Sequence, residues 1–261
     1  MSIAVSHLTR VLVLGGTSEA RALCERLAAD ARFDAVLSLA GRTAAPKQVS
    51  ISTRSGGFGG IDGLATYLRD QRIGVLLDAT HPFAAQISAN AVAASERTRV
   101  PLIALERREW KAEPGDCWQH YASVKDAIAS LPAEPANVFS GLGRLSLDAL
   151  SLAPQHHYVI RIIDPLIAPL PVPHATIITA RGPFRTSDDI ALFMDHGIEA
   201  VLAKNAGGTA AVSKIEAARA LGLTVYMIAR PHIPTRTTVA TVDEAFSLLA
   251  AHHASSVKRG V

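Results

Sequence analysis

The stretch that decides the fold is "RVLVLGGTSEARALCERLA", residues 10–28. An apolar run leads into the pair Gly15-Gly16, and a hydroxyl-bearing turn then opens a segment with helical spacing of apolar residues. A strand that passes through a glycine turn into a helix is typical of nucleotide-binding α/β domains. The dinucleotide fingerprint is G-x-G-x-x-G, and here Thr17 and Ala20 occupy its second and third glycine positions. The turn alone therefore leaves open a dinucleotide, another phosphate or no ligand.

The alternation of strand-like and helix-like segments continues along the chain and predicts parallel sheets covered by helices on both faces. The further strands are predicted at 34–41, 48–53, 73–80, 100–106, 137–141, 157–163, 175–180, 199–205 and 224–229. Residues 107–121, "RREWKAEPGDCWQHY", interrupt the pattern and are interpreted as a linker. We therefore expect an α/β protein of two doubly wound, Rossmann-like parallel-sheet domains facing across a cleft. The predicted domains are 1–110, which binds the cofactor, and 111–261, which adds substrate contacts.

Composition sets broad limits on the function. Hydrophobic residues make up 49% of the 261 residues, charged residues 19%, and the formal net charge is +3. The basic residues are scattered rather than clustered with aromatics, so no nucleic-acid partner is expected. No apolar run is long enough to span a membrane and the first residues do not resemble a signal peptide, so we expect a cytoplasmic protein without a membrane partner. The two cysteines are 93 positions apart and show no ligand spacing, so no metal site is expected.

Ligands of doubly wound sheets lie beyond the carboxyl ends of the strands, so the strand-to-helix loops are the candidate site. In the first loop, glycine lets a phosphate approach the backbone, and hydroxyls and helix N–H groups attract anions. In the second loop, an NAD enzyme would place an acidic residue, but this chain has an arginine, which suits the 2′-phosphate of NADP. The predicted NADPH-binding residues are Gly15, Gly16, Thr17, Ser18, Arg42 and Thr43.

Two further loops are candidates for contact with a substrate. The loop "RSGGFGGIDGL", residues 54–64, is dense in glycine, and its Gly57 and Gly59 are predicted to form a backbone wall against a ring or an anion. The segment "DATHPFAAQ" follows a predicted strand, and its Thr80 and His81 are predicted to face the substrate. His81 and Asp78 are the candidates for orienting the substrate or relaying a proton. Capping and packing explain these residues equally well.

In the second half, cations follow successive predicted strands. Arg181, Lys204 and Arg230 each come just after an apolar run. Together they predict a positive rim for an anionic ligand, although each alone is commonly a surface cation.

No nucleophile elbow, P-loop lysine or zinc cluster is present, so a bound nicotinamide has to supply the reactivity. The match "YASVK", residues 121–125, to a Tyr-x-x-x-Lys dehydrogenase pair is set aside, because Ser123 is predicted to cap a helix that starts after Tyr121. A methyltransferase that binds S-adenosylmethionine at the glycine turn, and a nucleotide sensor without catalysis, remain alternatives. The first would predict an acidic residue in place of Arg42, and the second gives the basic rim no purpose.

Seven segments in this order resemble the precorrin-6A reductase family: "LVLGGTSEARAL", "SLAGRT", "GGFGGIDGLATYLRD", "LLDATHPFAAQISANA", "LERREW", "RGPF" and "KNAGG". The resemblance extends from about residue 10 to residue 231. It implies NADPH-dependent reduction of one double bond of the precorrin-6A macrocycle to give precorrin-6B in cobalamin biosynthesis. It also implies a tetrapyrrole substrate with several carboxylates, in the metal-free form or, as an alternative, with cobalt and with NADH or NADPH.

Overall fold

The computed structural model describes residues 8–41, 48–166 and 168–259. It divides into two compact units, of which the first ends at Arg107 and resumes at His232, and the second comprises Arg108–Pro231. The strands are β1 (Thr9–Leu14), β2 (Phe33–Leu39), β3 (Ser52–Ser55), β4 (Val75–Asp78), β5 (Leu102–Leu105), β6 (Cys117–Tyr121), β7 (Asn137–Ser140), β8 (His157–Ile162), β9 (Ala175–Thr179), β10 (Ala200–Lys204), β11 (Thr224–Ile228) and β12 (Thr237–Val239). The helices are α1 (Ser18–Ala28), α2 (Gly60–Asp70), α3 (Ala85–Thr98), α4 (Val124–Ala129), α5 (Thr186–Asp195), α6 (Ser213–Ala220), α7 (Val242–Arg259) and a 3₁₀ helix, Arg144–Leu152.

The first sheet has six parallel strands in the order β3-β2-β1-β4-β5-β12. Its central strand β1 is covered on both faces. Val11 and Val13 pack in one hydrophobic cluster with α1 and α7, whereas Leu12 and Leu14 pack in another with α2 and α3. A strand that is buried on both faces reads as a continuous apolar run, which is why the sequence predicted it.

The second sheet also has six parallel strands, in the order β9-β8-β7-β10-β11-β6. Phe139 of β7 and Val201 of β10 are fully buried in its core. Phe193 of α5 packs on Phe139 with the ring centroids 4.9 Å apart. The α/β class with two parallel sheets is therefore confirmed, while the cleft between the domains stays a prediction.

The division of the chain differs from the predicted domains 1–110 and 111–261. Thr237–Val239 pairs in parallel with Ile103–Leu105, and α7 buries Ala245 and Leu249 in the core of the first unit. The C-terminal segment therefore completes the first sheet instead of belonging to the second. A strand of three residues carries too little apolar pattern to be recognised in the sequence.

The prediction of a linker over residues 107–121 was wrong for its last five residues. Residues Cys117–Tyr121 form β6, which pairs in parallel with β11 from Thr224 to Ile228. This edge strand is mostly exposed or half-buried, so it lacks the apolar run of the central strands. Its polar composition explains why the sequence suggested a connection rather than a strand.

Candidate functional site

In the turn after β1, the backbone explains why each of the two positions is glycine. A Cβ on Gly15 would lie only 2.4 Å from Leu37 Cδ1. The Gly15 N–H donates a hydrogen bond to the Ser38 carbonyl at 3.0 Å. Gly16 has φ +125°, a region that side chains disfavour, and a Cβ there would meet nothing within 4 Å. The turn is therefore tight on the side of β2 and open at Gly16.

Thr17 ends the turn and caps α1. Its Oγ1 accepts a hydrogen bond from the Ala20 N–H at 3.0 Å and donates to the Ala79 carbonyl at 2.8 Å. The hydroxyl thus joins the first loop to the loop after β4. Among the described residues, nothing accepts the N–H groups of Ser18 and Glu19, which lie in the first helical turn where no intrahelical acceptor exists. This is the donor set that anions bind at a helix N-terminus.

The predicted 2′-phosphate residues Arg42 and Thr43 lie outside the described residues. The end of β2 that precedes them is described, and it is contacted by a different arginine, Arg54 of β3. The Arg54 Nη1 donates to Ser38 Oγ at 2.7 Å. The sequence analysis did not predict Arg54 as a site residue, although Arg54, like Arg42, is a cation beside the end of a strand.

The glycine loop between β3 and α2 is open on its outer side. A Cβ on Gly57 or Gly59 would have no heavy atom within 4 Å. Gly59 and Gly60 have φ of +81° and +86°, so the loop needs glycine for its conformation at the start of α2. The predicted backbone wall is thus sterically accessible at both positions.

The buried Asp78 and Ser88 and the half-buried Thr80 form a polar cluster where β4 ends. Asp78 Oδ1 accepts hydrogen bonds from the Thr80 N–H at 3.1 Å and the Thr80 hydroxyl at 2.7 Å. The Thr80 hydroxyl also lies 3.3 Å from the Ser88 Oγ. Asp78 is 3% exposed and its Oδ2 has no hydrogen-bond partner among the described residues. A buried carboxylate oxygen of this kind normally has a donor, so a water or a ligand group is expected beside it.

A cavity of about 10 Å³ adjoins this carboxylate, which is room for one water molecule. Its wall includes Asp78, Glu106 and Arg236. The Arg236 Nη2 donates to Glu106 Oε2 at 2.9 Å, while its buried Nε has no partner among the described residues. Sequence reasoning missed this pair, because Arg236 comes from the C-terminal segment and lies 130 positions from Glu106.

His81 is exposed next to this cluster. Its Nδ1 accepts a hydrogen bond from the Phe83 N–H at 3.2 Å. The neutral ring therefore carries its proton on Nε2, which is the nitrogen suited to donation. The ring lies 5.8 Å from the Phe83 ring, centroid to centroid.

The predicted cations of the second unit are placed differently from one another. Lys204 Nζ donates to the Leu142 carbonyl at 2.9 Å and to Ser146 Oγ at 2.8 Å, and burial lowers its pKa. Arg230 donates to the carbonyls of Asn205 and Ala206 at 2.9 and 3.2 Å. Both side chains thus fix loops of their own unit.

Arg181, by contrast, is exposed. Lys204 and Arg230 end or follow the neighbouring strands β10 and β11, whereas Arg181 follows the edge strand β9. The structure therefore brings together two of the three cations at adjacent strand ends and leaves the third at the far side of the sheet.

The two sheets and the glycine turn define an α/β protein of the doubly wound class. Residues 10–250 match the family model described as precorrin-6x reductase CbiJ/CobK. The chain belongs to this family of oxidoreductases in cobalamin biosynthesis, which confirms the resemblance recognised in the sequence.

Named relatives agree with the family assignment. A precorrin-6A reductase of Rhodobacter capsulatus is 50% identical over 97% of this chain and 100% of its own length. A precorrin-6A reductase of a Sinorhizobium species is 48% identical over 92% of each chain. The solved structure titled CobK precorrin-6A reductase superposes with a TM-score of 0.90 at 49% identity, covering 94% of this chain and 97% of that one. No helix in the described part of the chain is long and apolar enough to cross a bilayer.

Proposed function

We propose that this protein reduces one double bond of the precorrin-6A macrocycle with NADPH and releases precorrin-6B. The observation that supports this most directly is the open N-terminus of α1 behind the glycine turn, in a chain 50% identical to a precorrin-6A reductase over nearly its whole length. The expected cytoplasmic location stays a prediction. The methyltransferase alternative does not agree with membership in a reductase family.

The first loop has the chemistry that the pyrophosphate of a dinucleotide requires. Gly16 exposes backbone where a larger residue would be strained, and Ser18 and Glu19 offer N–H groups at a helix N-terminus. The proposed cofactor-binding residues are therefore Gly15, Gly16, Thr17 and Ser18, with Arg42 and Thr43 for the 2′-phosphate. When bound, a reduced nicotinamide supplies a hydride to an electron-poor carbon of the macrocycle.

The residues after β4 are proposed to orient the substrate. Thr80 is held by the Asp78 carboxylate, so its position is fixed before any ligand arrives. His81 is exposed, and we propose that it donates a hydrogen bond to a substrate carboxylate or to a ring nitrogen. Gly57 and Gly59 are proposed as a flat backbone wall beside the macrocycle, because neither position has a neighbour that would block it.

The basic residues of the second unit are proposed to attract the substrate carboxylates. Arg181 is the exposed member of the three. Lys204 and Arg230 donate hydrogen bonds to loops of their own unit. We therefore propose that they give the substrate site positive charge and a fixed shape rather than flexible contacts.

The metal-free macrocycle is the proposed substrate, because the Rhodobacter and Sinorhizobium relatives are named for precorrin-6A without cobalt. The test is anaerobic mixing of the protein with precorrin-6A and NADPH deuterated on the transferable position. We expect loss of NADPH absorbance in step with the change in macrocycle absorbance, and deuterium in the product.

Two parallel reactions define the outcome. Replacing NADPH with NADH at the same concentration is expected to slow the reaction strongly, and equal rates would contradict the proposed cofactor. Replacing precorrin-6A with its cobalt complex tests the alternative substrate, and faster turnover of the cobalt complex would contradict the metal-free assignment.

A further inference from the structure

Arg54 is held in one position by its own loop. Besides the Ser38 hydroxyl, its guanidinium donates to the carbonyls of Gly56 and Gly57, each at 3.0 Å. These three hydrogen bonds come from two different nitrogens and fix the plane of the group. A side chain that is usually mobile is here ordered by two backbone carbonyls and one hydroxyl.

Two aromatic rings also pack near the same guanidinium. Its central carbon lies 4.0 Å from the centroid of the Phe58 ring and 5.3 Å from that of Tyr67. The two rings pack edge to face, with centroids 5.2 Å apart. Stacking of this kind orders an arginine without neutralising its charge.

No carboxylate pairs with Arg54 in the described part of the chain, although the side chain is half-buried. Several other arginines of the first unit do have a carboxylate partner within ion-pair distance. These are Arg10, Arg26, Arg32, Arg97, Arg107 and Arg236. Three of the five guanidinium N–H groups of Arg54 are used by the described residues, which leaves two for a ligand. An ordered, uncompensated cation with spare donors is suited to bind an anion.

The position of Arg54 indicates which anion. Arg54 lies opposite Ser38 in the register of β2 and β3, and the Ser38 carbonyl accepts the N–H of Gly15 in the glycine turn. The end of the second strand beside that turn is where doubly wound sheets receive the adenosine ribose of a dinucleotide. The anion that distinguishes the two nicotinamide cofactors at this ribose is the 2′-phosphate.

We propose that Arg54 is a specificity-determining residue that binds the 2′-phosphate of NADPH, with Ser38, the Gly56–Gly57 carbonyls and Phe58 holding its guanidinium in place. The inference rests on the proposed cofactor but concerns a residue distinct from Arg42. The inference gives the glycine loop between β3 and α2 a role in cofactor selection, in addition to the substrate contact proposed for Gly57 and Gly59.

The test measures binding without turnover. Dissociation constants for NADPH, NADH, 2′,5′-ADP and 5′-AMP are determined by calorimetry for the wild type and for Arg54→Ala, Arg54→Lys and Ser38→Ala. We expect Arg54→Ala to weaken NADPH and 2′,5′-ADP by roughly 10- to 100-fold and to leave NADH and 5′-AMP nearly unchanged. Arg54→Lys keeps the charge but not the planar fork, so it should recover part of the loss. Ser38→Ala should give a smaller loss for NADPH and 2′,5′-ADP, the two ligands that carry a 2′-phosphate.

The control is Arg69→Ala, which removes an exposed arginine of α2 whose described contact is a long 3.4 Å hydrogen bond to the Arg97 carbonyl. Binding by this variant should equal that of the wild type. An equal loss of NADPH and NADH in Arg54→Ala would show that the arginine only supports the glycine loop, and would overturn the inference while the proposed cofactor stands. A wild type that binds 5′-AMP as tightly as 2′,5′-ADP would overturn the proposed cofactor and the inference together.

Discussion

The two sheets have the same strand order but differ at the turn where a nucleotide site is expected. Reading β3-β2-β1-β4-β5 against β9-β8-β7-β10-β11, each strand has a counterpart, and the edge strands β12 and β6 occupy the same sixth place. Some paired strands are also consecutive in the chain. In each of these pairs a helix lies between the two strands, except in β2–β3 and β8–β9. The architecture is thus repeated within one chain.

The turns after the two central strands are not repeated. After β1, Gly15 and Gly16 lead into an α-helix of eleven residues capped by Thr17. After β7, residues 141–143 lead into a 3₁₀ helix, and the Leu142 carbonyl of that turn accepts a hydrogen bond from Lys204. The second turn thus directs a carbonyl at a lysine, whereas the first leaves N–H groups of a helix N-terminus without a described acceptor. Two sheets with the same strand order therefore differ in the chemistry of this turn, because a few residues after the central strand differ.

The largest expected difference between the units concerns a buried ion pair. Asp189 of α5 accepts hydrogen bonds from both terminal nitrogens of Arg161 and from Ser213 Oγ, and its side chain is 2% exposed. Asp189→Ala leaves the arginine buried without a partner, so the second unit should lose about 3–5 kcal/mol of unfolding free energy. Urea unfolding followed by circular dichroism measures this loss.

The matched control lies in the first unit. Asp243 pairs with Arg26, but its side chain is 84% exposed, so Asp243→Ala should change stability by less than about 1 kcal/mol. Similar losses in the two variants would show that burial does not distinguish these pairs.

The next effect concerns the selection of NADPH over NADH, which is proposed for the first unit. Arg42→Ala should remove a charge-assisted contact of about 1.5–3 kcal/mol, which corresponds to roughly 10- to 100-fold weaker NADPH binding. The affinity for NADH should stay nearly constant, because NADH has no 2′-phosphate. Fluorescence titration with each cofactor measures the ratio, and equal weakening of both would remove Arg42 from the 2′-phosphate site.

Much of this fold was predictable because its central strands are buried on both faces. Val11 to Leu14 and Val75 to Leu77 are at most 2% exposed, so they had to be apolar without interruption. Local chemistry was also readable. Ser123 caps α4 by accepting the Asp126 N–H, and Tyr121 lies in β6, which confirms that the Tyr-x-x-x-Lys match is not a pair on one helix.

The rest depends on contacts between distant parts of the chain. Glu106 and Arg236 meet because the three-residue strand β12 returns to β5, and neither residue is unusual in its own sequence neighbourhood. Arg54 stands out only once β3 is paired with β2 and its guanidinium is seen to bind Ser38. Sequence patterns show the strand ends, but the edge partners of short or polar strands come from tertiary packing.

A smaller effect compares the helix caps of the two units. Thr17→Ala removes the acceptor of the Ala20 N–H and the hydrogen bond to the Ala79 carbonyl, and should cost about 1–2 kcal/mol. Ser123→Ala in α4 removes an exposed cap and should cost about 0.5 kcal/mol. Thr17→Ser keeps both hydrogen bonds and serves as the control. Thermal unfolding of the three variants gives the order, and a larger loss for Ser123→Ala would contradict it.

The smallest effect is a pH dependence confined to the second unit. His156 is fully buried, its Nδ1 accepts the Ala136 N–H at 3.1 Å, and burial lowers its pKa from the ordinary value of 6.5. The folded state therefore takes up the proton less readily than the unfolded chain. Stability from this group is complete above about pH 6.5 and falls as the pH drops through that value, because the unfolded state then binds more protons.

His156→Asn removes the titrating group and should flatten the fall in unfolding free energy between about pH 7 and pH 5. His174 is exposed, so His174→Asn is the matched control and should keep the wild-type slope. Urea midpoints at a series of pH values measure both slopes. An unchanged slope in His156→Asn would mean that other groups cause the acid sensitivity. A flattened slope would assign part of it to His156, a buried histidine of the second unit.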